Sequence, residues 1–296
     1  MKTVSGHTDL YVILGNPIVH SMSPVIMNRN FERNGLDKVF LALKSDLTDF
    51  DTVFPVLIGC GFKGYVFTMP VKEVAVKYME ELSKEASIIG AINCAYYRDG
   101  KLFGTNTDSI GFWHAVQEKN SNMVPIKHMF IMGCGGFARA AIAQAAIQGV
   151  KKITVANHLD ETAFIKSFNE FRDRLERTVP DVDIELIDWI PDSWKEIISD
   201  CDLIANATPN GMNGKGDLDA VFPFDSIKKT AIVFDAIYEP RITRFLARAR
   251  EHGFVTVEGI DLLCHQGTVS FRNYTGLSAE PSVMKEDILE FWKTLG

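Results

Sequence analysis

The stretch HMFIMGCGGFARAAIAQAAIQGVKKITVAN, residues 128–157, decides the fold. It reads as an apolar strand, a glycine-rich turn, an alanine-rich helix and a second strand. Within it, GCGGFA from Gly133 to Ala138 fits the pattern G-x-G-x-x-G/A. In that pattern the first glycine makes a tight turn, the second lets backbone approach a pyrophosphate, and the third position takes a small residue so that helix and sheet can close. Alone the match is weak. The strand before it, the helix after it and the second strand at the right distance make it specific. Backbone N–H groups at Gly135, Gly136 and Phe137 then face the pyrophosphate of a dinucleotide, helped by the positive end of the helix dipole.

The end of the second strand in such a unit reports which dinucleotide is taken. An acidic group there accepts from the ribose 2′-OH, whereas an arginine holds a 2′-phosphate. This chain reads Asn157-His158-Leu159-Asp160-Glu161 at that end, with no arginine nearby. Asp160 and Glu161 repel a phosphate and can accept from ribose hydroxyls, so NAD is expected, with NADP as the second candidate. The same two acids also suit the N-terminus of the helix that follows.

Outward from this stretch, β-rich runs alternate with helical patterns in both directions. Downstream come a long helical pattern from Asp160 to Arg177, the strand DIELID, a short helix near Trp194, and the strand DLIANAT. A Gly/Asn-rich loop at Asn210–Gly216 leads to the strand AIVFDAIY, a helix over Thr243–His252 and a last strand, FVTVEG. This is a doubly wound α/β unit. Upstream, LYVILG at Leu10–Gly15 precedes a helix opened by Ser23-Pro24, and VFLALK at Val39–Lys44 follows. GYVFTMP at Gly64–Pro70 leads into an expected helical stretch over Lys72–Leu82, and INCAYY runs to the turn Asp99-Gly100. A mostly parallel sheet follows from this alternation. From Asp261 onward the pattern is purely helical, and those helices have no further strands to cover except those of the first domain.

At 296 residues the chain exceeds the size at which one core stops growing, so two domains are expected. Its net charge of −7 excludes a polyanion such as nucleic acid as the main partner. The five cysteines are far apart with no CxxC pair, which suits a reducing, cytoplasmic setting. No signal peptide and no apolar run long enough for a bilayer is read. The histidines lack HxxH or HExxH spacing, so no metal site is expected. No motif dictates the oligomeric state, and a homodimer is the commonest closed assembly.

Oxidation of an alcohol also needs a group to take the hydroxyl proton. Lys72 directly follows GYVFTMP, and Asp108 follows the loop GTNT at Gly104–Thr107. Taken singly, each would be an ordinary surface charge. Their surroundings change that reading. HSMSP (His20–Pro24), TMPVK (Thr68–Lys72), GAINC (Gly90–Cys94), NTD (Asn106–Asp108), NATPNGM (Asn206–Met212), DAIYEPRIT (Asp235–Thr243) and the Gln266 helix stand in one order over nearly the whole chain. In this succession the sequence resembles the shikimate dehydrogenase family.

The resemblance implies an α/β substrate-binding catalytic domain of residues 1–109 and 261–296 and a Rossmann-type dinucleotide-binding domain of residues 110–260. It implies reversible oxidation of a ring hydroxyl on a cyclic hydroxy acid such as shikimate or quinate, giving 3-dehydroshikimate or 3-dehydroquinate. Ser21 and Ser23 would hold the substrate carboxylate, and Thr68, Asn93, Asp108 and Gln266 the ring hydroxyls. Tyr238 would stand on the substrate side, Thr208 and Gly259 on the cofactor side, and Lys72 would serve in proton transfer. A carboxylate neighbour favours the charged form of a lysine and desolvation the neutral form. Lys72 and Asp108 are therefore expected to act as a coupled pair. The family pattern is departed from at Val66-Phe67, where Asn-Val is usual, and at Asn157-His158-Leu159, where Asn-Arg-Thr is usual. GIDLL at Gly259–Leu263 replaces a Gly-Met-Leu type sequence. A dehydrogenase for a shikimate analogue and a catalytically silent NAD-binding regulator are the competing readings; retention of Lys72 and Asp108 argues against the second.

Overall fold

The computed structural model describes residues 3–121 and 123–295. The chain divides into two compact units, one formed by Met1–Thr107 with Cys264–Gly296 and the other by Asp108–Leu263.

The first unit holds six strands: β1 (Asp9–Gly15), β2 (Lys38–Lys44), β3 (Gly64–Phe67), β4 (Glu81–Leu82), β5 (Cys94–Arg98) and β6 (Lys101–Thr105). They lie in the order β2-β1-β3-β5-β6-β4. β1 runs parallel to both β2 and β3, but β5 is antiparallel to β3 and to β6. The sheet is thus mixed. Its reversal is a two-residue hairpin at Asp99-Gly100, where both residues have positive φ, 52° and 81°. That combination matches the twist of the flanking strands in so short a loop. β5 consequently begins, rather than ends, at the sheet edge where β1, β3 and β6 end.

The continuous helix expected over Lys72–Leu82 does not form. A 3₁₀ turn covers Val74–Tyr78, and Glu81–Leu82 pairs in parallel with Phe103–Gly104 as β4. Valines at 71, 74 and 76 lose rotamer freedom in a helix. Glu80 N–H donates to the Leu102 carbonyl at 2.9 Å and Ser83 N–H to that of Gly104 at 2.9 Å. The strand edge therefore satisfies backbone groups that a helix would otherwise have kept. Phe50, Phe54, Tyr65 and Phe67 fill the core on one side of the sheet, each burial being worth roughly 1.5–3 kcal/mol. The C-terminal helices Gly259–Thr275 (from Cys264 onward) and Pro281–Leu295 belong to this unit. Asp287 on the latter accepts from Arg29 and Arg33 of the helix Ser23–Arg33 at 3.1 and 2.9 Å.

The second unit holds β7 (His128–Met132), β8 (Lys152–Asn157), β9 (Asp183–Asp188), β10 (Leu203–Asn206), β11 (Ile232–Asp235) and β12 (Val255–Val257). All are parallel, in the order β12-β11-β10-β7-β8-β9. Strand order reverses between β7 and β10, which places a crevice outside their carboxyl ends; ligands of open α/β sheets bind at such a switch point. The helix Gly136–Ile147 buries six alanines, whose small side chains let it lie close to the sheet. Trp194, Phe130, Phe222 and Phe245 build the core opposite.

Candidate active site

At the carboxyl edge of the first sheet, backbone hydrogen bonds draw several polar residues together. Thr68 N–H donates to the Leu14 carbonyl at 2.9 Å, and Asn16 N–H to that of Met69 at 2.9 Å. A Cβ on Gly15 would overlap the Thr68 methyl and stand 2.7 Å from the Met69 carbonyl oxygen, so glycine is required for β1 and the loop after β3 to approach. Phe67 N–H donates to the Asn93 carbonyl at 2.9 Å, Ile92 N–H to that of Lys72 at 3.0 Å, and Asn93 N–H to that of Thr105 at 3.2 Å. Thr68, Lys72, Asn93 and the end of β6 are thereby held side by side. Lys72 is half-buried.

Thr107 ties this edge to the C-terminal helix. It is fully buried, its N–H donates to Asn93 Oδ1 at 2.6 Å, and Asn93 Nδ2 donates to its hydroxyl at 2.9 Å. The same hydroxyl lies 3.3 Å from Gln266 Oε1 and 3.1 Å from Ser270 Oγ. A single hydroxyl proton cannot serve every acceptor. Since Asn93 Oδ1 already receives the short bond from the backbone, the proton is free for Gln266 or Ser270. Gln266 thus sits beside Asn93, in place beside the helix Ser23–Arg33, because a Cβ on its neighbour Gly267 would come 2.7 Å from Ile26 Cδ1. That helix starts at Ser23 with Pro in its first turn, and Ser23 N–H donates to Ser21 Oγ at 3.3 Å.

Neither Thr107 nor Ser270 was singled out from the sequence. Thr107 lay inside the NTD motif, overshadowed by its charged neighbour, and Ser270 follows Gln266 by four residues, the spacing that shares one helical face. Asp108, half-buried in the first turn of the helix Thr107–Lys119, and Tyr238 both fall in the second unit rather than with the other substrate-side candidates. Burial raises the Tyr238 phenol above its ordinary ionisation range, with Glu239 adding to the effect.

In the second unit the glycine turn sits at the switch point. Gly133 has φ +97°, and a Cβ there would stand 3.0 Å from Thr208 Cγ2 and 3.2 Å from the Ala207 carbonyl. Around Gly135, by contrast, nothing lies within 4 Å of where a Cβ would be. The helix begins at Gly136 with no side-chain cap, so its first N–H groups have no intrahelical acceptor. Strained closure at Gly133 and open space at Gly135 form a cradle that fits a pyrophosphate. Phe137 differs from a ligand-facing side chain: its ring packs on Phe234 and Phe112, at 5.9 and 6.1 Å, which leaves only its backbone N–H for binding.

The end of β8 is internally bonded. Asn157 Nδ2 donates to Glu161 Oε2 at 2.9 Å and to the His158 carbonyl at 3.1 Å. The His158 ring stacks on Trp189, centroids 5.2 Å apart, and Asp160 is exposed. Thr208 is fixed by Asn206, whose Oδ1 accepts from its N–H at 3.1 Å and its hydroxyl at 2.7 Å. A Cβ on Gly259 would overlap the Ile237 carbonyl oxygen and lie 2.5 Å from that of Ala236. The sequence did not single out Asp235 as a functional group. It is buried at the end of β11, and desolvation pushes its carboxyl up to about 7, against hydrogen bonds from Thr243, Ile237 and Asn206.

A doubly wound sheet with a glycine cradle at its switch point, together with a buried polar cluster on a separate mixed sheet, defines a dinucleotide-dependent enzyme acting on a small polar molecule. The family model for the shikimate dehydrogenase substrate binding domain matches residues 13–95. The chain is 33% identical over 277 residues to a shikimate dehydrogenase (NADP(+)) of Streptococcus thermophilus, covering 92% of this chain and 93% of that one. It superposes on shikimate 5-dehydrogenase of Listeria monocytogenes, solved with shikimate and NAD, with a TM-score of 0.89 at 30% identity, covering 97% and 99% of the two chains. Quinate dehydrogenase of Corynebacterium glutamicum, solved with NAD, gives 0.83 at 26% identity, covering 96% and 99%. The chain belongs to the shikimate dehydrogenase family and is an oxidoreductase.

Proposed function

We propose that this enzyme reversibly oxidises one ring hydroxyl of shikimate or quinate to the ketone, with a nicotinamide dinucleotide as hydride acceptor. The observation that carries this reading is the Asn93–Thr107–Gln266 cluster, a buried run of neutral donors and acceptors beside Lys72. Such groups reward a substrate hydroxyl and penalise an analogue that leaves them unpaired. In this reading Ser21 and Ser23, at the start of their helix, receive the carboxylate, and Thr68, Asn93 and Gln266 orient the ring. Lys72 exchanges the hydroxyl proton, and Asp108 is the second proton-handling group. Tyr238 flanks the substrate.

The dinucleotide, when bound, supplies the hydride chemistry. Gly133, Gly135, Gly136 and the Phe137 N–H cradle its pyrophosphate, Asn157, His158 and Asp160 meet the adenosine ribose, and Thr208 and Gly259 wall the nicotinamide half. NAD is the favoured partner, because an exposed Asp160 and a bonded Glu161 stand where a 2′-phosphate would need a cation. The unit of Met1–Thr107 with Cys264–Gly296, close to the 1–109 and 261–296 expected from the sequence, takes the substrate, and that of Asp108–Leu263, close to the expected 110–260, the dinucleotide. A homodimer and a cytoplasmic location complete the proposal; among the described residues no helix is long and apolar enough to cross a membrane.

Nicotinamide absorbance with shikimate and with quinate, each paired with NAD and NADP, tests the reading. Turnover with at least one acid, faster with NAD, is expected. Silence in all four pairings overturns the substrate assignment, and a clear NADP preference overturns the cofactor assignment.

A further inference from the structure

Asp235 presents a problem that the catalytic reading does not absorb. A carboxylate with no exposure is costly unless its charge is met or neutralised. Here every hydrogen-bonding partner is neutral, and each comes from a different segment. Asn206 Nδ2 at the end of β10 donates to Oδ1 at 3.1 Å, Ile237 N–H in the loop after β11 donates to Oδ1 at 3.1 Å, and the Thr243 hydroxyl donates to Oδ2 at 2.6 Å. Thr243 also caps the helix Arg244–Glu251 by accepting from Leu246 N–H at 3.2 Å.

Each of these partners in turn fixes a piece of the crevice wall. Asn206 holds Thr208, whose methyl faces Gly133, and its Nδ2 also donates to the Asn210 carbonyl at 3.0 Å. Ile237 and Ala236 present the two carbonyls against which Gly259 is packed without room for a Cβ. The Gly211 loop lies on Ile237 and Thr243, a Cβ there standing 3.5 and 3.6 Å away. Both loops at the carboxyl ends of β10 and β11 are therefore referenced to one carboxylate. Three donors converging on the two oxygens of one buried carboxyl suit a group that must hold three segments in one register.

We propose that Asp235 is a positioning residue for the dinucleotide, setting Thr208 on one wall and Ala236–Ile237 with Gly259 on the other. It touches neither cofactor nor substrate; it acts through Asn206, Thr243 and the Ile237 N–H. The proposal rests on the reading of this unit as the dinucleotide-binding one. A site on the other side of the sheet would leave Asp235 without influence on binding.

The test measures NADH affinity directly by protein fluorescence, which needs no turnover, alongside KM for both ligands. D235A should weaken NADH binding at least tenfold and raise the dinucleotide KM in parallel, while the KM for the cyclic acid stays within twofold. D235N keeps an acceptor for Ile237 and Asn206 and places a donor toward Thr243, so it should restore NADH affinity to within about threefold of the wild type. If D235A does not fold, T243V removes the Oδ2 donor together with the Leu246 N–H cap, whereas T243S keeps both; T243V but not T243S should then weaken NADH binding without moving the acid KM. Equal NADH affinity in D235A, or in T243V where that variant is the one measured, overturns the proposal. So does a parallel loss of both ligands, the mark of general destabilisation. Failure of the wild type to bind any nicotinamide dinucleotide overturns the functional reading instead.

Discussion

Replacing Thr107 with Val removes one hydroxyl and almost no volume. The backbone bond from residue 107 to Asn93 Oδ1 survives, but Asn93 Nδ2 and the Gln266 side chain lose their shared partner, and Ser270 loses its neighbour. A buried polar group left unpaired costs about 1–3 kcal/mol. Asn93 Nδ2 is the group stranded, so a loss of about 2 kcal/mol is expected. At about 1.4 kcal/mol per factor of ten, this corresponds to a fall of roughly 30-fold in kcat/KM for the cyclic acid if the whole cost falls on ring positioning. Steady-state kinetics with the acid varied at saturating dinucleotide reads that ratio, and direct dinucleotide binding serves as the control. T107S, which keeps the hydroxyl, should remain within about threefold of the wild type. A T107V enzyme with kcat/KM within twofold of wild type, or with dinucleotide affinity reduced by the same factor, would refute the role given to the cluster.

Lys72→Ala should depress kcat far more than it weakens binding of the acid; unchanged turnover removes Lys72 from proton transfer. Gly259→Ala must displace the Ala236–Ile237 carbonyls, costing about 1–3 kcal/mol, and should appear as lost dinucleotide affinity and a lower unfolding temperature. His128 is held below its ordinary ionisation by burial first and by Lys152 second. Its neutral form is the folded one, so the stability that it contributes is present above about pH 6.5 and lost as the pH falls below that value. His128→Gln should therefore narrow the gap in chemical stability between pH 7.5 and 5, and an unchanged gap contradicts this. Asp235 has the opposite sign: its carboxyl, raised by burial to about 7, contributes stability at low pH that is lost as the pH rises towards neutrality. D235N should flatten the decline in urea-unfolding midpoints between about pH 4 and pH 7, and a variant that declines as steeply as the wild type contradicts this.

Local signals carried the second unit well. The glycine turn, the alanine helix and the parallel strands β7 to β12 each have a composition that admits one reading, and a lone αL glycine at Gly133 is required by the turn itself. The first unit was legible in its β1 and β3 strands and its Asp99-Gly100 turn, but the polarity of β5 depends on a hairpin whose second strand, LFGT, is short and weakly patterned. The stretch after Lys72 misled for a related reason. Its apolar residues fit a helix, but backbone partners offered by β6 were better, and such partners are invisible from a window of ten residues. Thr107, Ser270, Asn206 and Asp235 are neutral or buried polar residues at the ends of apolar runs. Their importance comes from meeting partners up to 163 residues away, as Thr107 meets Ser270, and no spacing rule reports that.

The most direct test of hydride transfer from a ring carbinol is shikimate deuterated at the carbon whose hydroxyl is oxidised, incubated with the enzyme and NAD. Mass spectrometry of the recovered dinucleotide should show NADH carrying one deuterium, in step with the formation of 3-dehydroshikimate. Ketone formed with unlabelled NADH, or no ketone from shikimate or from quinate labelled in the same way, would contradict it.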